Sequence, residues 1–111
     1  VETQLNEKEK KYGVWYRSFE EDQGKLIVYR PSDFQFPPAR VREKIEILKN
    51  GALFEHRITP SDGYAKFIGR YSFCEQHKEL IFSFEEEGEQ RKVTYKVIEW
   101  NKSILKLELV K

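Results

Sequence analysis

Three charged or titratable residues, Arg17, Glu43 and His56, sit inside stretches whose neighbours alternate apolar and polar. If alternation turns them inward, each must pair, reach water at a cavity mouth or hold a ligand, because a buried charge without a partner costs several kcal/mol or loses its ionisation. Tyr71 and Tyr95 would add phenolic groups to the same interior, and Trp15 an indole. A pair of Glu43 with Arg17, or with His56, is the purely structural alternative. A second group lies in the Pro-rich stretch 31–40, where Phe34 and Phe36 precede Arg40 and Arg42. Two rings over a cavity mouth with arginines at its rim would suit an acidic head group, since the planar guanidinium fork binds carboxylate or phosphate bidentately. The plain alternative is that the two rings plug the barrel end.

Other chemistries find little support. Cys74 is the single cysteine, so no intrachain disulfide can form, which suits a reducing compartment. His77 stands three residues away across a turn, but a nucleophilic thiol also needs an orienting partner, and Cys74 reads as structural. Two histidines and one cysteine make no zinc set, so no metal is expected. No glycine-rich phosphate loop opens a helix, so no cofactor is expected. Lys92, Tyr95 and Lys96 mix basic and aromatic groups without the concentration of a single-strand-binding face. With 20 Lys+Arg against 19 Asp+Glu there is no global steering towards nucleic acid or an anionic membrane. No apolar run approaches the ~20 residues of a membrane helix, and no signal peptide is visible. A cytoplasmic location is expected. The chain begins at Val1, so an exported or lipid-anchored origin stays open.

The elements that would position these residues are strands. A chain of 111 residues is one domain in size, 1–111, with a polar opening at 1–11 where Asn6 and Glu9 could cap one helical turn. Period-two alternation marks strands at 12–19, 25–30, 42–48, 52–58, 65–73, 79–85, 91–99 and 103–110. Turn chemistry separates them at Asp22-Gln23-Gly24, Asn50-Gly51, Pro60-Ser61-Asp62-Gly63, Glu87-Gly88 and Trp100-Asn101-Lys102. From Gly51 onward the breaks recur about every twelve residues, the rhythm of an up-and-down meander. The fold class is therefore all-β, an antiparallel meander of about eight strands closing into a small barrel. Gly13 and Gly69 lie within strands, as barrel bends require.

A two-residue turn at Asn50-Gly51 would set the register of its hairpin, placing Ile47 opposite Phe54 and Ile45 opposite His56. Ile45, Ile47, Phe54 and Ile58 then face inward with Glu43 and His56. The same alternation gives inner sets of Trp15, Arg17 and Phe19; Phe67, Gly69, Tyr71 and Phe73; Leu80, Phe82 and Phe84; Val93, Tyr95 and Val97; Leu105, Leu107 and Leu109.

Gly13-Val14-Trp15, on the first strand after a short polar segment, resembles the Gly-x-Trp motif of lipocalins and the wider calycin group. The run from Tyr29-Arg30-Pro31 to Arg42-Glu43 resembles a group of small bacterial proteins with lipocalin-like domains. The resemblance spans roughly residues 5–110 and implies an eight-stranded barrel that carries a small apolar molecule. The chain departs from that pattern in ending one residue after its last strand, without a C-terminal helix. Its last strand also offers only the outward Lys106 where lipocalins set an Arg against the Trp.

Three functions compete. The first is non-enzymatic binding of a small apolar or amphipathic molecule, with or without an acidic head, by Trp15, Arg17, Phe34, Phe36, Arg40, Arg42, Glu43, His56, Tyr71 and Tyr95. An eight-stranded barrel is just wide enough to be filled by side chains or to hold one small ligand. The second is a calycin-type enzyme acting on a small carboxylic acid, which needs Glu43, Arg17 and a tyrosine to converge on one open pocket. The third is a filled module whose exposed strip of Leu48, Leu53, Ile68, Ile81 and Trp100 forms a homodimer interface.

Overall fold

The computed structural model describes residues 11–39, 41–60 and 63–110. Residues 1–10 of the polar opening, where the helical turn is expected, and two residues of the turn at 60–63 lie outside the described residues. Eight strands form: β1 (Gly13–Arg17), β2 (Leu26–Arg30), β3 (Lys44–Ile47), β4 (Ala52–Ile58), β5 (Tyr64–Cys74), β6 (Glu79–Glu86), β7 (Glu89–Trp100) and β8 (Leu105–Leu109). A 3-10 turn over Phe19–Glu21 joins β1 to β2. All pairings are antiparallel and the sheet closes on itself, the architecture that period-two alternation implies. Among the described residues no helix is long and apolar enough to cross a membrane.

The meander is continuous from β3 to β8, and the β1–β2 hairpin completes the circle with β1 beside β3 and β2 beside β8. Residues 31–43 must therefore carry the chain from β2 across β1 to β3. Tyr16 is paired with both Arg30 and Lys44, which fixes where the crossing occurs. Tyr16 alternates with the core residue Trp15, so its ring lies on the outer wall. Phe36 packs edge-on against Tyr16 at 6.1 Å and against Phe34 at 4.9 Å. The rings of the Pro-rich segment thus cover the outside of β1, and the expectation that they cap or plug a barrel mouth is corrected.

Inside, Trp15, Trp100, Phe82, Phe84, Ile45, Ile47, Leu53, Leu80, Leu105 and Leu107 are at most 2% exposed. Burying such a side chain contributes about 1.5–3 kcal/mol. One end is closed by aromatics, where Tyr12 and Phe73 stand edge-on to Trp100 at 5.8 and 5.6 Å. Phe19, expected inside, is 48% exposed because the strand stops at Arg17 and the 3-10 turn carries it outward.

The β3–β4 hairpin differs from the expected register by one residue. Ile47 pairs with Leu53, Ile45 with Glu55 and Lys44 with His56. The Leu48 amide donates to the Ala52 carbonyl at 3.0 Å, leaving a three-residue loop of Lys49, Asn50 and Gly51. Gly51, at φ +95°, ends that loop in the left-handed region, the form in which a type I turn is followed by a bulge. A one-residue slip turns every side chain of a strand to the other face. Leu53, Glu55 and Arg57 therefore point inward, and Phe54 and His56 outward, which corrects the inward placement of His56. A second irregularity, between Val97 and Glu99 on β7, returns Trp100 to the interior. With Leu53 and Trp100 both buried, the expected exposed apolar strip is broken, although Ile68 is 65% exposed.

Candidate functional site

The hairpin register gathers charge at the barrel end opposite the aromatic cap. β4 sends Glu55 and Arg57 inward, β6 sends Glu86, and β7 sends Arg91. These four close a ring. Arg57 Nε donates to Glu55 at 2.5 Å and its terminal nitrogen to Glu86 at 2.9 Å. Arg91 Nε donates to Glu86 at 2.6 Å and its terminal nitrogen to Glu55 at 3.2 Å. Each carboxylate accepts from both guanidiniums, and the ring is neutral as a whole. Below it lies an aromatic floor, with Arg57 over Phe67 at 3.7 Å and Arg91 over Phe84 at 4.7 Å. The two arginines hold the Glu86 carboxyl down to about 2, against an ordinary 4.5. The side chains remain 18–39% exposed, so water screens the pairs.

Arg17 enters the same space from β1. It is bound to Asp22, which also accepts the Val28 amide at 3.0 Å. Glu43 stands 3.9 Å from Arg17 and accepts the Ile58 amide at 3.2 Å with its other oxygen. Arg17 stacks over the ring of the buried Tyr29 at 5.9 Å. Its Nε is buried with no hydrogen-bond partner among the described residues. Burial pushes the phenols of Tyr29 and Tyr95 up. Both phenols also feel the Glu55 carboxylate and the Arg17 cation, so the two tyrosines, Arg17 and Glu55 share one interior region.

The structure thus brings together Arg17, Tyr95 and, at the rim, Glu43. The other expected site residues lie elsewhere. Trp15 is wholly buried in the core. Tyr71 points inward but donates its hydroxyl to the Leu48 carbonyl at 2.6 Å. Arg42 binds Glu20 through two nitrogens at 2.9 and 2.6 Å and the carbonyls of Arg17 and Pro37 at 3.0 and 2.7 Å. Phe19 and Phe36 stack on its guanidinium at 4.9 and 4.4 Å, so Arg42 fastens the crossing segment to the wall instead of lining a mouth. Phe34 and Phe36 lie outside the barrel, and His56 faces outward beside Tyr64 at 6.4 Å. Arg40 lies outside the described residues.

Sequence reasoning missed Tyr29, Glu55, Arg57, Glu86 and Arg91. A signal was present: Glu55 and Arg57 are two apart on one strand, and Glu86 and Arg91 flank the turn between β6 and β7, so a single face would carry two anions and two cations. No group of three His, Cys, Asp or Glu side chains suited to a metal occurs among the described residues. Comparison of the chain with protein-family models, curated proteins and solved structures finds no match.

Proposed function

We propose that the ionic end of the barrel binds a small, partly apolar molecule through a hydrogen-bond acceptor, without chemical conversion. The observation that carries this is Arg17 Nε, a buried donor with no partner among the described residues, set beside Tyr29. A ligand oxygen accepting from Arg17 Nε would lie beside the ring of Tyr29. The acidic head group suggested by sequence loses support here. Each inward guanidinium already faces a carboxylate, Arg17 through Asp22 and Arg57 and Arg91 through Glu55 and Glu86. A carbonyl or ether oxygen suits Arg17 better than a second anion would. The lipocalin-like resemblance supports carriage to the extent of a closed eight-stranded barrel with Trp15 at its core.

The protonation states favour holding over proton transfer. Glu86 stays ionised far below neutral pH, and the phenols of Tyr29 and Tyr95 stay protonated above it. The enzyme alternative needs Glu43, Arg17 and a tyrosine to converge. Among the described residues no hydrogen bond joins Tyr29 or Tyr95 to either group, and Glu43 is spent partly on a backbone amide.

Native mass spectrometry of freshly purified protein tests for a co-purified small molecule. A calorimetric panel of amphiphilic amides and ketones against matched carboxylates then tests the head group. The neutral acceptors are expected to bind, and Arg17→Lys, which keeps the charge but removes Nε, is expected to weaken them roughly tenfold, the worth of about 1.4 kcal/mol. Failure of every compound to bind, or binding indifferent to Arg17→Lys, overturns the proposal.

A further inference from the structure

The outer wall beside the crossing segment carries a separate feature. Arg30, Tyr16, Lys44, His56 and Lys66 are successive cross-strand partners over β2, β1, β3, β4 and β5. Their side chains form one row on the outer face. With strands about 4.8 Å apart, Tyr16 to Lys66 spans roughly 14 Å. A groove of about 410 Å³ runs alongside, lined chiefly by Tyr16, Phe36, Val41, Arg42 and Tyr64.

The cations of this region divide into two kinds. Arg30 and Arg42 are neutralised by Glu21 and Glu20 at 2.8 and 2.6 Å. Among the described residues neither Lys44 nor Lys66 has a carboxylate within ion-pair distance. Lys44 Nζ lies 5.7 and 5.8 Å from the ring centres of Tyr16 and Tyr64, and Lys66 Nζ lies 4.6 Å from Phe54. Burial disfavours the proton on His56, and the lysines to either side disfavour it further, against the pull of Glu46. Lys44 thus stands without a carboxylate between two rings that line the groove, and Lys66, two strands along the same row, without one over Phe54.

We propose that this row and groove bind a nucleotide, an aromatic base joined to a phosphate, either free or within a single strand. The rings of Tyr16 and Tyr64 offer faces on which a base stacks regardless of its identity. Lys44 and Lys66 supply charge-assisted contacts to phosphate oxygens. Phosphate, with its second ionisation near pH 6, also draws a proton onto His56, which the two lysines otherwise resist. Composition hides this surface because its residues are distant in sequence; the hairpin register alone places His56 in the row.

The test follows backbone amide signals of the full chain by NMR at low salt while adenosine monophosphate, adenosine, inorganic phosphate or a short oligothymidylate is added. The monophosphate is expected to shift Tyr16, Lys44, His56, Tyr64 and Lys66 and to raise the titration midpoint of His56. Adenosine and phosphate alone are expected to bind at least roughly tenfold more weakly, since each keeps only one of the two contact types. Lys44→Gln and Lys66→Gln are each expected to weaken binding several-fold, and Lys92→Gln on β7 to leave it unchanged. Circular dichroism of each variant separates lost binding from lost folding. An oligonucleotide that binds more than tenfold tighter than the monophosphate, with a steep salt dependence, identifies a single strand as the source; equal affinity identifies the free nucleotide. Absence of shifts with both nucleotide probes, phosphate alone binding as tightly as the monophosphate, or binding indifferent to the Lys44→Gln and Lys66→Gln pair overturns the proposal.

Discussion

The indole N–H groups of Trp15 and Trp100 end on the same acceptor, the carbonyl oxygen of Lys11, each at 3.1 Å. One backbone oxygen thereby ties the first strand to the end of β7 and satisfies the only polar atoms of two otherwise apolar side chains. Trp100→Phe keeps most of the ring but leaves that oxygen with one donor fewer, and an expected cost of about 1–2 kcal/mol should appear in urea unfolding. Trp15→Ala also opens a cavity and is expected to cost about 3–5 kcal/mol. Ile68→Ala, at a position 65% exposed, should stay within about 0.5 kcal/mol of the parent.

Gly69 marks where the wall meets the core most tightly. It pairs with Phe84, and a Cβ there would run into the Ser83 carbonyl and come within 2.6 Å of Phe84 Cδ1. The oxygen belongs to the neighbouring strand's backbone and cannot swing away. Gly69→Ala is therefore expected to destabilise by roughly 1–3 kcal/mol despite removing a flexible residue from a strand. Thermal unfolding measures this, and an unchanged or raised midpoint would contradict the contact.

The strands themselves were legible because a half-buried sheet imposes period two on its sequence, and β5, β6 and β8 show it plainly. β4 was not decidable that way. Its sequence Ala52-Leu53-Phe54-Glu55-His56-Arg57-Ile58 carries apolar groups on both faces, so either face could be inner. Loop length had to decide, and Asn50-Gly51 serves a two-residue turn and the second half of a three-residue loop equally well. The bulge that buries Trp100 and the passage of residues 31–43 over Tyr16 depend on long-range closure, which local propensity does not encode. Arg17 and Tyr95 were found because their strands kept register; Glu55 and Arg57 were lost with the hairpin, whereas Glu86 and Arg91 sit one alternation beyond Phe84 and Val93 on strands that kept register.

Acid should weaken the fold through two carboxylates. Glu86 and Glu21 are each held down to about 2, Glu86 by Arg57 and Arg91 and Glu21 by Arg30. A folded pKa below the unfolded value means stability that is present above the ordinary 4.5 and disappears as pH falls towards about 2. Urea midpoints measured from neutral pH to pH 2 are expected to fall mainly within that window. Glu86→Gln should lower the neutral-pH midpoint and flatten the acid slope, and a slope unchanged by this substitution would remove Glu86 from the linkage.

His56 should titrate below the ordinary 6.5, because burial and then Lys44 and Lys66 oppose its proton. Proton NMR of the imidazole resolves it from His77, and Lys44→Gln is expected to move the midpoint upward. A midpoint at or above 6.5 in the parent, or no movement in the variant, would contradict the outward placement beside the lysines.

The ionic ring and the outer row both depend on which residues of β3 and β4 face each other. The alternation of wide and narrow pairs, counted from the Leu48–Ala52 hydrogen bond, makes Ile45 and Glu55 a non-hydrogen-bonded pair with Cα atoms about 4.5 Å apart. A two-dimensional NOE spectrum in heavy water should show a strong cross-peak between Ile45 Hα and Glu55 Hα, and another between Ile47 Hα and Leu53 Hα. Cross-strand peaks instead joining Ile45 to His56 and Ile47 to Phe54 would turn β4 inside out, dissolving both the ionic ring and the outer row.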